Sequence, residues 1–415
     1  MMTVALASAT SPAVGTITFI QTSDVAIAED LHIYAQYPAS YGHQYAGQWR
    51  NEAVDAFNQP RDIAVDAEGT VYVADTMNHH IQKFAADGTY LYRWGSLGVG
   101  PNRLNEPKGV AVTNDGHIAV ADYGNARIQI FTAFGTQVRS WGELGTAVGN
   151  FDHPEGVAVA PNGDVYVADT GNDRIQYFTV TGGYRGSWGS LGTGNGQFDF
   201  PTNLAISAEE EVYVVDTFNH RVQKFSLTGG FLGAWGSVGS GAGQFSYPTG
   251  IAIDSEGYVY VTESGNNRVQ KFDKHGNYIT QWGSAGSSSG QFNQPIGLEV
   301  NLTGDVLVAD RNNNRVQRFN APVPVQMALD TDGSDGDVIT NTITVTPPAG
   351  SYQFTLFSSN GWLLIGPDCV SSDTANPPTV TASQIHLNLV DGANVTCTLP
   401  TVAASEQAYL SVISK

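Results

Sequence analysis

The stretch from Pro60 to Phe84, PRDIAVDAEGTVYVADTMNHHIQKF, strings two short apolar runs and one alternating run between polar turns, and its pattern returns five more times. The proline recurs as Pro107, Pro154, Pro201, Pro248 and Pro295. The acid at its centre recurs as Asp75, Asp122, Asp169, Asp216, Glu263 and Asp310. The closing aromatic recurs as Phe84, Phe131, Phe178, Phe225, Phe272 and Phe319, all at a spacing of 47 residues without a gap. A fixed period in the forties, with turn residues between strand-like runs, marks propeller blades. Within the first copy, Ile63 to Val65 and Val71 to Ala74 read as strands around the turn cluster Asp66 to Gly69. Ile81 to Phe84 alternates, Asp87-Gly88 turns, and Tyr90 to Trp94 supplies a fourth strand. Four antiparallel strands make one blade.

The two ends of the array complete one another. After Phe319 the sixth copy has no fourth strand, because Pro322 and Pro324 interrupt it. Tyr45 to Trp49 has the fourth-strand pattern with no three strands before it. It is expected to pair with the strand ending at Phe319, closing a ring of six blades and removing free edges. Six of the seven tryptophans occupy this strand position.

The repeats, above all VYVADTGNDRIQYF (165–178) and SYPTGIAIDSEGYVYVTESGNNRVQKF (246–272), resemble NHL repeats over residues 45–320. The resemblance implies an all-β six-bladed propeller more strongly than it implies an activity, since relatives include RNA-binding regulators, peptidylglycine amidating lyases and secreted microbial proteins. In the lyases, zinc histidines follow the equivalent proline directly. Here those positions hold Arg61, Lys108, Glu155, Thr202, Thr249 and Ile296, none of them histidine. His153 is one residue early, and His79, His80 and His220 fall on turns of different blades. No metal, cofactor or catalytic residue is therefore assigned.

Composition narrows the partners. With 39 acidic against 19 basic residues the formal charge is −20, and 14 % of residues are charged, below the roughly 25 % usual in soluble domains. Such a surface repels phosphate backbones, so nucleic acid is not expected as a partner. No apolar run reaches the roughly 18 residues that a membrane span needs. A surface solvated by Gly, Thr, Ser and Asn suits an extracellular or cell-surface monomer.

Residues 1–44 contain no Lys or Arg and read either as a signal segment without its basic start or as the remnant of a preceding domain. After a linker at 321–326, residues 327–415 lose the period and read as a small β-sandwich. TITVTPPAGSYQFTLF (342–357) and GANVTCTLP (392–400) resemble prealbumin-like modules of microbial surface proteins. Cys369 and Cys397, the only cysteines, are a disulfide candidate for an exported module. The acidic run Asp330 to Asp337 is out of register for a calcium loop and reads as a hairpin or junction.

Function is expected on the face that carries the turns after the second strand and the long connections between blades. Around its central mouth, blades one to three bring Arg61, Lys108, His153 and Glu155, while blades four and five bring Phe200, Phe218 and Tyr247. These seven are the candidate ligand contacts, for a peptide, protein or glycan. The alternatives are a metal-dependent lyase or lactonase at the same mouth, and a purely structural block of an adhesin. The six repeat acids are expected to be structural, because five have an arginine five residues later (Arg127, Arg174, Arg221, Arg268 and Arg315) with His80 in its place after Asp75. The glycine-rich GSLGTGNGQF (189–198) recurs between strands with no helix after it, so it reads as a connector rather than a phosphate loop.

Overall fold

The computed structural model describes residues 43–49 and 55–320 in full, and beyond them only the backbone of short strands between 17 and 402. Blade one places Pro60–Val65, Val71–Asp75, His80–Phe84 and Tyr90–Trp94 side by side in chain order, innermost strand first. Blades two to five repeat this order. Blade six takes Pro295–Val300, Val306–Asp310 and Arg315–Asn320 from the end of the array and Gln44–Trp49 from its start. The closing pair is antiparallel, with Phe319 opposite Tyr45 and Val316 opposite Trp49. The protein is thus an all-β six-bladed propeller, closed by the expected strand.

Its cores lie between blades. Tyr72, Ile81 and Trp94 of blade one pack with Val110, Val120 and Phe131 of blade two, and the later junctions repeat the pattern. Five of the six fourth-strand tryptophans, all but Trp282, lie over a glycine in the next blade's outer turn. A Cβ at Gly135 would come within 2.5 Å of the Trp94 ring, and one at Gly229 within 2.7 Å of Trp188. Both glycines also have φ near +80°, which other residues adopt at a cost. Trp49 makes the same contact with Gly88, so the ring closes with the packing it uses elsewhere.

Each repeat acid is fully buried at the end of its second strand, and in blades two to six it accepts from four donor groups. Asp169 accepts the Asp152 backbone N–H at 2.7 Å, Asn172 Nδ2, Arg174 Nε at 2.7 Å and Gln176 Nε2 at 3.0 Å. Arg174 then donates from both Nη atoms to the carbonyls of Thr146, Ala147 and Asn150 in the connection from blade two. The acid therefore ties its turn, its third strand and the incoming loop together. In the GSLGTGNGQF connector the carbonyls of Thr193, Gly194 and Gln197 face Arg221. Those oxygens serve a guanidinium, so the loop is a connector.

In blade one His80 Nε2 lies 2.9 Å from Asp75, off the line of a well-formed hydrogen bond. Arg93 Nη1 donates to His80 Nδ1 at 2.9 Å, because a guanidinium can only donate. The imidazole proton is thereby assigned to Nε2, facing the acid.

Outside the propeller, Ile17–Gln21 pairs antiparallel with Thr342–Ile343 and parallel with Val395–Leu399. Leu31–Gln36 pairs antiparallel with Val325–Leu329 and Gly350–Ser358. Residues 1–41 and 322–415 form one compact unit and 42–321 another. The Asp330–Asp337 run lies outside the described residues.

Candidate functional site

The inner strands converge on a central channel and crowd it at one level. A Cβ at Gly109, Gly156, Gly250 or Gly297 would meet a neighbouring strand's backbone at 2.1 to 2.8 Å. The other two blades carry side chains at that level, Asp62 and, on the opposite blade, Asn203. Asn203 Nδ2 lies 3.4 Å from Asp62 Oδ1 across the channel, and Asp62 Oδ2 accepts the Val110 N–H at 3.1 Å. This pair makes a waist between two cavities.

Above the waist is a funnel of about 280 Å³. Six of the seven candidate residues line it: Arg61, Lys108, Glu155, Phe200, Phe218 and Tyr247. His153 does not. It stands outside on the rim, 4.7 Å from the Tyr123 ring and 2.5 Å from Asp152. The funnel is divided by chemistry. On one side Lys108 Nζ meets Glu155 Oε1 at 2.5 Å and sits 3.2 Å over the Tyr123 ring, while Arg61 Nη1 is 3.5 Å from Glu155 Oε2. Burial draws Lys108 down to about 8, opposed by Glu155. On the other side Phe200 and Phe218 stack at 4.9 Å, with Tyr247 edge-on to Phe218 at 6.1 Å.

Local backbone geometry sets these aromatic rings on the wall. All six residues before the repeat prolines are left-handed, with φ from 48° at Tyr247 to 62° at Phe200. Bulky residues rarely adopt this conformation, and each instance stores strain of about 1–3 kcal/mol. A latch from the preceding blade holds five of them. Asp173 accepts the Phe200 N–H at 2.9 Å, His220 Nδ1 that of Tyr247 at 3.1 Å, and His79 Nδ1 that of Glu106 at 3.0 Å. Asn267 and Asn314 hold Gln294 and Gln59 in the same way. Ala126 occupies the latch position for His153 and offers no acceptor. His79 and His220 are thus committed to backbone, and among the described residues no three His, Cys, Asp or Glu side chains come together as a metal site.

Sequence reasoning missed Arg311, Asp62, Asn203 and Glu299. Arg311 lines the funnel in the register of Thr76, Tyr123, Thr170, Thr217 and Ser264. Threonine there bonds to the next blade, as Thr170 Oγ1 does to the Pro201 carbonyl at 2.7 Å. Its replacement by arginine was the available signal. Arg311 donates to Gln59 Oε1 at 2.8 Å and is drawn down by burial and by the charge of Arg61.

Below the waist a second cavity of about 220 Å³ is lined by backbone and by apolar side chains, with Asp62, Asn203 and Glu299 the polar side chains among them. Glu299 stands at a level where the other blades carry Ala64, Ala111, Ala158, Ala205 and Ala252. Burial pushes Asp62 up to about 7 and Glu299 up to about 8.

Comparison with known proteins agrees with this architecture. The NHL repeat family model matches residues 57–84, 104–131 and 292–319. These blades are NHL repeats. A second family, the SMP-30/gluconolactonase/LRE-like region, matches residues 156–288 of the same NHL propeller. Among solved structures, a gluconolactonase from Xanthomonas campestris is 15 % identical with a TM-score of 0.51, over 72 % of this chain and 97 % of its own. A protein of unknown function from Bacteroides thetaiotaomicron is 18 % identical with a TM-score of 0.50, over 71 % and 76 %. Virginiamycin B lyase from Staphylococcus aureus is 13 % identical, TM-score 0.47, over 83 % and 98 %. At these identities the likeness is one of fold. No curated protein matches the sequence.

Proposed function

We propose that this NHL propeller is a recognition module that takes the end of an extended ligand, a peptide or a glycan, into the funnel at the mouth of its channel. The observation that carries the reading is the division of one dead-ended funnel into a cationic side at Arg61, Lys108 and Arg311 and an aromatic side at Phe200, Phe218 and Tyr247. Phe218 and Tyr247 are each 48 % exposed. Aromatic rings left half open beside fixed charges are characteristic of binding surfaces. The composition supports an extracellular or cell-surface setting and a monomer, which surface labelling of producing cells and light scattering would test. Binding of the full chain to peptide and glycan arrays tests the reading itself. Phe218→Ala is expected to weaken retention of the captured ligand, and retention unaltered by that change would count against the funnel.

The SMP-30/gluconolactonase match over 156–288 favours one second reading, a metal-dependent lactonase or lyase. The residues of the channel do not fit a metal well. Asp62 and Asn203 engage one another and backbone groups, and Glu299 lies deeper in the channel. Elemental analysis of dialysed protein for zinc and calcium decides between the readings, since a stoichiometric metal would favour the enzyme.

A further inference from the structure

Resting on the end-on reading above, we infer that the ligand is a peptide whose C-terminal carboxylate is bound by Arg61 and whose last side chain is apolar and lies against Phe218. Arg61 carries five N–H donors, yet its nearest charged partner, Glu155, is 3.5 Å away, and its buried Nε has no hydrogen-bond partner. Glu155 is already answered by Lys108 at 2.5 Å. Arg311, from the neighbouring blade, bonds only to the neutral amide oxygens of Gln59 and Gln294. Three cations therefore stand about one carboxylate that Lys108 already engages, and neither guanidinium has a close counter-charge of its own. Of the other acids, Asp62 at the funnel floor already accepts the Val110 N–H and faces Asn203 Nδ2, and Glu106 and Asp152 stand about Tyr123 on blades two and three. A carboxylate accepts from a guanidinium through two parallel hydrogen bonds. The waist at Asp62 and Asn203 stops a polymer from threading, so a chain must present its end. The C-terminus of a peptide brings the missing charge and a side chain in one residue. The end of a neutral glycan would leave Arg61 unanswered.

The test is fluorescence anisotropy of the full chain with fluorescein-labelled Gly-Gly-Gly-Phe as free acid and as amide, and with Gly-Gly-Gly-Ala as free acid. The free Phe acid is expected to bind at least about tenfold tighter than its amide, the equivalent of one charged hydrogen bond. Arg61→Gln should remove that difference. Phe218→Ala should remove the preference for Phe over Ala and leave the acid-over-amide preference standing. Equal binding of acid and amide, or no binding of any free acid at millimolar concentration, overturns the inference. The end-on reading is separated by applying the same two variants to glycan arrays. Glycan capture lost in Phe218→Ala would keep the funnel and discard the carboxylate, whereas capture indifferent to both variants would discard the funnel as well.

Discussion

The repeat acids show how one side chain can organise a blade. Asp169→Ala would leave the partly buried Arg174 guanidinium without its counter-charge and three other donors without their acceptor. It is expected to lower stability by about 3–5 kcal/mol, read as a shift in the urea midpoint, with no specific effect on ligand capture. The spacing of acid and arginine was legible because five blades repeat it. The glutamine seven residues after each acid repeats as faithfully, as Gln82, Gln129, Gln176, Gln223, Gln270 and Gln317, but amides carry no charge pattern and their role emerged only with the fold. Glu299 is the opposite case, a single departure from alanine. Its carboxyl is raised from 4.5 to about 8, so between those values the native state holds a proton that the unfolded chain releases. Stability from this residue is fully present below pH 4.5 and is lost as pH rises toward 8. Glu299→Ala should therefore melt higher than the parent at pH 9, with the difference shrinking toward pH 4.5. An equal gap at both pH values would remove the acid from the explanation.

At the scale of the element, ring closure is the feature most readable from sequence, because a missing fourth strand at one end matched a surplus strand at the other. What sequence did not disclose is the pin beside that strand. His43 donates from Nε2 to the Gly304 carbonyl at 3.0 Å, stacks on Trp282 at 5.0 Å and meets Tyr260 edge-on at 5.3 Å. It precedes the periodic region, so no repeat marked it. Burial lowers its pKa from 6.5 to about 4. Here the unfolded chain takes the proton first, and the stability it confers, up to about 3 kcal/mol, is lost as pH falls from 6.5 toward 4. His43→Phe keeps an aromatic ring on Trp282 without that proton. Its thermal midpoint should fall less than that of the parent between pH 7 and pH 4, and parallel decline would show that blade six is not pinned by this imidazole. The aromatic wall was partly legible, since residues beside the prolines are free of the repeat. Arg311 was missed because it replaces a threonine whose interblade bond only the structure reveals.

At the scale of the whole molecule, the propeller is an insertion between the two segments whose strands pair with one another. Sequence order hid this, because 1–44 and 327–415 lie at opposite ends of the chain and neither carries a repeat. In the backbone register Cys369 stands directly opposite Cys397 on antiparallel strands, a Cα separation of about 4.5–5.5 Å that a disulfide spans. Thiol titration of the unfolded, unreduced protein is expected to find no free thiol, and two would exclude the bond. Gln44 and Asn320, where the chain enters and leaves the propeller, are partners in the same antiparallel pair. A load pulling these two points apart would not shear the closing strands along their length. It would part their hydrogen bonds one after another from that end, opening blade six like a zip while the other five blades bear no tension, so the closure that removes free edges is also where traction would open the ring.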